Sequence, residues 1–264
     1  MRHNSPLYII GFAGAVCVVC SLLVSGSATV LKERQLANAQ LDKQRKVLDV
    51  SGLVEPGTRL APEKVDAFFK NRIKVIFVEL RTGALAEEGR FDAAIYSPKK
   101  ALRDPAMSVE AKTNKAGVSR VPLFGIIYEI YTEDGTLDRL VLPVHGKGLW
   151  STLYGFVALD SDGTTIRGLT FYSHGETPGL GGEVDNTSWK ARWPGRKMFD
   201  DEWKLAIKVI KGPAGSPEED PHRVDGLSGA TITSNGVTNL LRFWFGEQGF
   251  GPFLAQMRTA GSTG

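Results

Sequence analysis

The strongest constraint on this sequence is a long run near its N-terminus that carries no charge. Residues 7–31 contain no acidic or basic side chain, and about 20 apolar residues are enough for a helix to cross a bilayer. Tyr8 lies near one edge of the run, where aromatic residues favour the membrane interface. The alternative is a cleaved signal peptide, with the small residues 25–28 as its cleavage site. Because the run is longer than the apolar part of a typical signal peptide and continues into a helical pattern, we predict an uncleaved transmembrane helix.

The charges that flank this run do not settle its orientation. Arg2 precedes it, and the basic residues that follow it closely are Lys32, Arg34, Lys43, Arg45 and Lys46. The positive-inside rule alone would place the following domain in the cytoplasm. Long domains are translocated largely regardless of their charges, so the opposite orientation also stays open.

The remaining composition is that of an ordinary globular protein. The 264 residues are 42% hydrophobic and 23% charged, with a formal net charge of +3, which allows one sizeable domain or two small ones. The charge is mild and no basic block is interleaved with aromatic residues, so we expect no nucleic-acid binding.

The cysteines and histidines do not indicate a metal site. Cys17 and Cys20 both lie in the apolar run and supply only half of a usual four-cysteine cluster, so we interpret them as small apolar residues. His145, His174 and His222 are scattered on separate predicted elements without metal-ligand spacing.

The hydrophobic pattern predicts an α+β fold, with helices packed on a largely antiparallel sheet. Strands are predicted at residues 73–80, 123–132, 137–144, 149–159, 165–172 and 204–210. Helices are predicted at residues 32–50, 62–72, 183–192 and 251–257, with another that begins near Ser234. Asp134-Gly135 and Asp162-Gly163 are hairpin turn signals, which favour an antiparallel meander, and Pro56-Gly57 ends the first helix. Residues 81–121 have weak periodicity and predict loops and short elements.

A loop of small residues, Asp225-Gly-Leu-Ser-Gly-Ala-Thr231, precedes an apolar helical pattern. A loop that opens a helix offers free backbone N–H groups to an anion, and small residues let a phosphate approach closely. The residues alone leave two interpretations open. One is a phosphate loop, and the other is an ordinary turn with Ser234 as the helix N-cap.

This loop resembles the flavinylation motif Asp-x-x-(Ser/Thr)-Gly-Ala-Thr, in which FMN is joined through its phosphate to the last Thr. Two further segments also show family resemblance: Ser173-His-Gly-Glu-Thr-Pro-Gly-Leu-Gly181 and the segment His145-Gly-Lys-Gly-Leu-Trp-Ser that continues to Leu159. The three occur in matching order. The chain is therefore similar to the family of C subunits of the Na+-translocating NADH:quinone oxidoreductases, and the resemblance extends to about Phe253.

The resemblance implies one covalent FMN per chain, attached to Thr231, and no catalytic residue or metal ligand. Its other implied cofactor-binding residues are Asp225, Ser228, Gly229 and Ala230 in the attachment loop; Glu176, Thr177, Gly179, Leu180 and Gly181 at the flavin ring; and Leu149, Trp150 and Ser151 as a wall. Lys211 is a further candidate near the phosphate. Taken without the resemblance, the Pro178-Gly179 loop is an ordinary turn, Trp150 a core or interface residue, and Lys211 a solvated surface residue.

The resemblance also implies a domain order and partners. A short cytoplasmic N-terminus at 1–6 precedes a transmembrane helix at 7–31, a membrane-proximal extension at 32–122, and an FMN-binding core at 123–264 on the periplasmic side of a bacterial inner membrane. The partners are the other membrane subunits of a reductase that reduces ubiquinone, and a flavin transferase that modifies Thr231 once. The chain would relay electrons without itself oxidising NADH, reducing quinone or carrying sodium.

Three rival interpretations stay open. The G subunit of the Rnf complex shares the flavin motif and a single anchor, although the segment from His145 and the long insert before Val121 favour the quinone reductase family. The second rival is a cofactor-free, membrane-anchored scaffold. A hydrolase that uses Ser228 is disfavoured because no Gly-x-Ser-x-Gly elbow surrounds this residue.

Overall fold

The computed structural model describes residues 5–55, 57–93 and 95–261. One helix, α1, runs without interruption over Pro6–Ser51 and is long and apolar enough to cross a membrane. Its apolar side chains are exposed, Leu22 to 69% and Leu23 to 66%, as expected of a helix that contacts lipid. The predicted membrane and post-membrane helices are therefore parts of a single helix. Residues 1–4, Pro56 and residues 262–264, which belong to predicted segments, lie outside the described residues.

The chain divides into two compact units, with the boundary between Lys43 and Gln44. The second unit is α+β, as predicted. Its remaining elements, in chain order, are α2 (Pro62–Asn71), β1 (Ile73–Glu79), α3 (Pro98–Ala101), β2 (Ser108–Glu110), β3 (Arg120–Pro122), β4 (Phe124–Tyr131), β5 (Leu137–Lys147), β6 (Thr152–Asp160), β7 (Ile166–Ser173), α4 (Thr187–Lys190), β8 (Lys208–Val209), β9 (Arg223–Val224), α5 (Thr231–Trp244) and α6 (Gly251–Gly261).

The centre of this unit is a five-stranded antiparallel sheet with the order β1-β4-β5-β6-β7. The two predicted Asp-Gly turns connect β4 to β5 and β6 to β7, which confirms the meander. Two small sheets flank it: β2 pairs with β3 in antiparallel fashion, and β8 pairs with β9 in parallel fashion. The predicted short elements of residues 81–121 are α3, β2 and β3.

Helix α5 packs on one face of the sheet. Leu140, Leu142 and Val144 of β5 are buried in one cluster with Val237 and Leu240 of α5. With Leu241, which belongs to the same cluster, these side chains are three and four residues apart on the helix, and their burial holds α5 in place. The packing brings the N-terminal end of α5 to the end of β5, where the chain turns into β6.

Two predicted boundaries near this end were wrong. Residues Leu149–Ser151 do not continue β6 but form the turn between β5 and β6. Helix α5 begins at Thr231 rather than near Ser234. Ser234 is not the N-cap, because its hydroxyl lies within the first turn and accepts a hydrogen bond from the N–H of Leu227 at 3.0 Å.

Two further predictions were too long. The predicted helix at 183–192 is a 3-10 turn at Gly181–Asp185 followed by the short helix α4. Asn186 separates them, because its side chain accepts from the N–H of Ser188 at 2.9 Å and so caps α4. The predicted strand at 204–210 is reduced to β8, since Ala206 and Ile207 donate instead to the carbonyl of Met198.

Candidate functional site

The carboxylate of Glu176 joins the three segments that resemble flavoprotein motifs. Glu176 is buried, with 6% of its surface exposed. Its Oε1 accepts hydrogen bonds from the N–H groups of Trp150 and Ser151, both at 3.0 Å, and from the Ser151 hydroxyl at 3.1 Å. Its Oε2 accepts from the N–H of Leu149 at 3.1 Å and from the Thr233 hydroxyl at 2.7 Å. One side chain therefore fixes both the β5–β6 turn and the first turn of α5.

These donors decide the charge state of Glu176. Burial by itself raises the pKa of a carboxyl group, because it disfavours the charged form. The hydrogen bonds from Thr233 and from the N–H groups of Leu149, Trp150 and Ser151 outweigh burial, so the pKa of Glu176 lies below its ordinary value. At neutral pH the site therefore contains a buried carboxylate that is balanced by N–H and O–H donors.

The two threonines at the start of α5 have opposite environments. Thr231 is the first residue of the helix and is exposed. Thr233 is fully buried, and its hydroxyl is committed to Glu176. Of these two threonines, Thr231 is therefore the one whose hydroxyl a ligand or an enzyme can reach. The first N–H groups of a helix lack intrahelical partners and carry a partial positive charge, which favours an anion beside Thr231.

Asp225 fixes the other end of the attachment loop. Its Oδ2 forms an ion pair with Arg192, and its Oδ1 accepts from the N–H of Ala214 at 2.9 Å. The Asp225 carbonyl also accepts from the indole N–H of Trp189 at 2.9 Å. Asp225 is buried, so its role in the described structure is to tie the loop to α4 and to the segment after β8.

Two glycines allow the loops to approach each other. Gly229 has a φ of +69°, a backbone conformation that favours glycine. It lies against Leu180, because a Cβ at Gly229 would be 3.0 Å from the Leu180 Cδ2. A Cβ at Gly181 would lie 2.6 Å from the Thr233 Oγ1 and 2.7 Å from the Glu176 Oε2. The absence of a side chain at Gly181 is therefore what leaves room for the Glu176–Thr233 hydrogen bond.

A cleft of about 330 Å³ lies beside Thr231. Lys211 and Gly212 line it on one side and the attachment loop lines it on the other. A neighbouring cavity of about 620 Å³ shares residues 226–228 with the cleft and is lined further by Gly179, Glu183 and Arg192. Lys211 is exposed and thus contributes a solvated cation to the wall nearest Thr231.

A buried cation holds the segment that follows the Lys211 side of the cleft. Arg196 is 3% exposed, and its guanidinium donates to four carbonyl oxygens rather than to a carboxylate. The acceptors are the carbonyls of Arg192 at 3.2 Å, Gly215 at 2.7 Å, Ser216 at 3.1 Å and Asp220 at 2.5 Å. These bonds hold the segment that follows Lys211 and Gly212 in a fixed conformation.

Large apolar side chains surround the site without entering the core. Trp150 is 73% exposed, Leu149 and Leu180 are each 46% exposed, and Ile232 is 57% exposed. The interpretation of Trp150 as a core residue is therefore wrong. Since exposed apolar residues gathered at one place usually mark a binding surface, this rim can accept a flat apolar ligand.

The structure places the predicted residues in three roles. Glu176, Ser151 and Gly181 meet at the buried carboxylate, whereas Leu149, Trp150 and Leu180 form the exposed rim. Ser228, Gly229, Thr231 and Lys211 line the cleft. Ala230 is buried, and Thr177 and Gly179 are exposed. The Thr177 carbonyl accepts from the N–H groups of Leu180 and Gly182, so Thr177 shapes the loop through its backbone.

Sequence reasoning missed four contributors to the site: Arg192, Trp189, Ile232 and the partnership of Thr233 with Glu176. Arg192 and Trp189 lie more than 30 positions before the motif that they contact, and they resemble ordinary residues of a short helix. The only available signal was at Thr233, whose hydroxyl lies two residues after Thr231 on the opposite side of a helical turn.

Comparison with known proteins identifies the family to which this part of the chain is similar. The FMN-binding domain family model matches residues 148–246. The C subunit of the Na+-translocating NADH-quinone reductase of Yersinia pestis is 46% identical over 245 residues, covering 92% of this chain and 90% of the relative. Its counterpart from Pseudomonas aeruginosa is 48% identical over 246 residues, covering 92% of each chain.

Solved structures show the same fold. The crystal structure of NqrC from Shewanella oneidensis superposes with a TM-score of 0.76 at 33% identity, covering 84% of this chain and 99% of that one. The corresponding reductase protein from Parabacteroides distasonis superposes with a TM-score of 0.64 at 27% identity, covering 85% of this chain and 96% of that one. With this similarity along nearly its whole length, the chain belongs to the NqrC family, the C subunits of the Na+-translocating NADH-quinone reductases.

Proposed function

We propose that this chain is the electron-relaying NqrC protein of a membrane Na+-translocating NADH-quinone reductase. It carries one FMN joined through its phosphate to the Thr231 Oγ. The observation that supports this attachment most directly is the contrast between two hydroxyls. Thr231 is exposed at the start of α5 and lines the cleft, whereas Thr233 is buried and bound to Glu176.

The residues present fit an FMN. A phosphodiester retains one negative charge, which the N-terminal end of α5 stabilises, and Lys211 adds a cation to the same cleft. The exposed rim of Leu149, Trp150, Leu180 and Ile232 offers the apolar surface that a flavin ring requires. When bound, FMN supplies the ability to accept and release one or two electrons.

The chain's own residues hold and orient rather than react. Glu176 fixes the turn that carries Leu149 and Trp150, and through Thr233 it fixes the turn that carries Thr231. Asp225 and Arg192 fix the start of the attachment loop. The apolar run at 7–31 has no charged residue that could form an ion path. Sodium translocation and the reactions of NADH and quinone therefore belong to the other subunits.

The location and partners follow from the same proposal. The exposed apolar helix anchors the chain in the bacterial inner membrane, and the flavin domain lies on the periplasmic side. A covalent bond there prevents loss of the cofactor. A separate flavin transferase uses Thr231 once, before the chain assembles with the other proteins of the complex. Membership of the NqrC family favours this assignment over the Rnf relative, and the match to an FMN-binding domain disfavours a cofactor-free scaffold.

Mass spectrometry of the full chain, produced together with its flavin transferase, tests the attachment. We expect the wild type to gain the mass of one FMN minus water, located on the peptide that contains Thr231. Thr231→Val should lose the adduct, and Thr233→Val, a matched loss of a hydroxyl two residues away, should keep it. An adduct that survives Thr231→Val would show that FMN is attached to another residue. An unmodified wild type would instead favour the interpretation as a cofactor-free scaffold.

A further inference from the structure

A basic pocket of about 190 Å³ lies between the loop before β3 and the adjoining ends of β5 and β6. It does not share a residue with the cleft beside Thr231. Residues 117–120 form one side and lie outside the range that matches the FMN-binding domain. The residues that line the pocket are Leu102, Gly117, Val118, Ser119, Arg120, His145, Gly146, Lys147, Thr152 and Tyr154.

The charges around this pocket have one sign. Arg120 and Lys147 line it, and the lining contains no acidic residue. A third cation, Lys99, lies with its Nζ 4.4 Å from the centroid of the Tyr154 ring. Within the described ranges, no carboxylate lies within ion-pair distance of Arg120 or Lys147, although Glu110 is opposite Arg120 in the β2–β3 pair. Like charges held together without a counter-charge repel one another, which a bound anion would relieve.

Hydrogen bonds hold the Arg120 side chain in place but do not use all of its N–H donors. Its Nε donates to the Ser108 hydroxyl at 3.0 Å and its Nη2 donates to the Ser108 carbonyl at 2.8 Å. Among the described residues no acceptor is bound to its Nη1. The stem of Lys147 packs against Gly117, where a Cβ would lie 2.8 Å from the Lys147 Cδ. Both cations are therefore partly pre-positioned, which lowers the entropic cost of binding a ligand.

The remaining lining groups also suit an anion. The hydroxyls of Ser119, Thr152 and Tyr154 can each donate a hydrogen bond. The His145 ring stacks on Tyr154, with 5.6 Å between the ring centroids. Burial, together with the charge of Lys99, lowers the pKa of His145 to about 4. His145 is consequently neutral at neutral pH and can offer a ring N–H without adding charge.

We propose that this pocket binds a phosphate-class oxyanion, either free or as the headgroup of a membrane phospholipid. Two cations, three hydroxyls and a neutral imidazole around a cavity of this size match the donors that phosphate recognition uses. This site is separate from the proposed flavin phosphate, and it stands whether or not Thr231 is modified.

Isothermal titration calorimetry on the full chain in detergent micelles tests the proposal, with protein from a host that lacks the flavin transferase. The probes are inorganic phosphate and glycerophosphoglycerol, the soluble headgroup of phosphatidylglycerol. The double variant Arg120→Gln/Lys147→Gln removes the two lining cations. The control, Lys64→Gln/Lys70→Gln, removes two exposed cations from α2. We expect saturable binding of one anion, with Kd raised about tenfold or more by the first variant and within about twofold of wild type in the control.

The outcomes identify the source of the anion or overturn the proposal. Tighter binding of phosphate identifies a free anion as the ligand, and tighter binding of the phosphodiester identifies a lipid headgroup. Failure of both probes to bind saturably overturns the proposal, as does equal weakening by the two double variants. If the Arg120 substitution prevents folding, the single variant Lys147→Gln carries the same test, because the Lys147 side chain is exposed.

Discussion

The hydroxyl of Thr233 donates to the Glu176 Oε2 at 2.7 Å, although the two residues lie 57 positions apart. This bond joins the first turn of α5 to a carboxylate that also holds the β5–β6 turn. It explains why Thr233, two residues after the proposed attachment residue, has no accessible hydroxyl.

Loss of this hydroxyl should destabilise the domain without changing the attachment point. We expect Thr233→Val to lower the free energy of unfolding by about 1.5–3 kcal/mol, the range for a hydrogen bond to a charged group. Thr233→Ser keeps the hydroxyl and should cost less. Thermal unfolding followed by tryptophan fluorescence measures the difference. A loss in Thr233→Ser as large as that in Thr233→Val would contradict a dominant contribution of the hydroxyl.

Glu176 should also contribute a pH-dependent part of stability. Its pKa is lowered in the folded state, so its contribution is fully present above the unfolded pKa of about 4.3 and is lost as pH falls through the folded pKa. We expect the unfolding temperature to fall in this acidic window for the wild type.

The matching variant is Glu176→Gln, which should flatten that part of the pH profile. An amide nitrogen in place of Oε2 can donate to the Thr233 hydroxyl but cannot accept from the Leu149 N–H, so we expect a loss of about 1–3 kcal/mol at neutral pH. Unfolding temperatures measured between about pH 3 and pH 7 compare the two proteins. Parallel profiles would exclude Glu176 as the titrating group.

Gly181 should tolerate no side chain. In Gly181→Ala the new Cβ would overlap both the Thr233 hydroxyl and the Glu176 carboxylate, so we expect a loss of about 2 kcal/mol or more. Gly175→Ala in the same loop is the control, because its Cβ would be 3.5 Å from the nearest atom, an ordinary contact. Unfolding temperatures of the two variants provide the comparison, and similar values would contradict the close approach at Gly181.

Trp150 should matter to the cofactor and not to the fold. Its indole is mostly exposed, so Trp150→Ala should change the free energy of unfolding by no more than about 0.5 kcal/mol. The visible circular dichroism of the flavin should change, because a wall of the proposed ring site is lost. An unchanged flavin spectrum would place the ring elsewhere.

The ion pair of Asp225 with Arg192 should add little by itself. Arg192 is half exposed, so solvent screens its attraction to the buried Asp225. Asp225→Asn can retain an acceptor for the Ala214 N–H and should be mild, whereas Asp225→Ala leaves that N–H without its partner and should cost about 1–3 kcal/mol. The FMN content per chain, measured by absorbance beside the unfolding temperature, should follow the same order. A severe loss in Asp225→Asn would instead show that the charge is essential.

The predictable parts of this structure were those with local signals. The hairpin turns at Asp134 and Asp162 and the apolar strands around them predicted the antiparallel meander of β4 to β7, whereas no local signal placed β1 beside β4. The errors occurred where side chains from distant segments decide local structure. One interpretation made Ser234 the cap of α5 because its residue type suits that position. In the structure its hydroxyl accepts a hydrogen bond from the N–H of Leu227. Residues Leu149–Ser151 were predicted to be part of a strand. They form a turn because their N–H groups donate to the carboxylate of the distant Glu176.

The same limit applied to the site. The motif includes Ser228, Gly229 and Thr231, which line the cleft. In contrast, Arg192 and Trp189 carry no sequence signal that relates them to Asp225. Only the packing of α4 against the loop brings them together. Exposure also had to come from the structure, since the sequence left Trp150 open as a core, interface or site residue, and its indole is 73% exposed.

The carbonyl contacts of Arg196 have a consequence for how the segment after the cleft can evolve. The guanidinium recognises the path of the main chain at Gly215, Ser216 and Asp220, and it makes these three contacts with carbonyl oxygens alone. As far as these contacts with Arg196 are concerned, the side chains at the three positions can change as long as the path of the main chain is kept. Arg196 itself lacks that freedom, since the compact ammonium of a lysine could not span acceptors spread over the same loop.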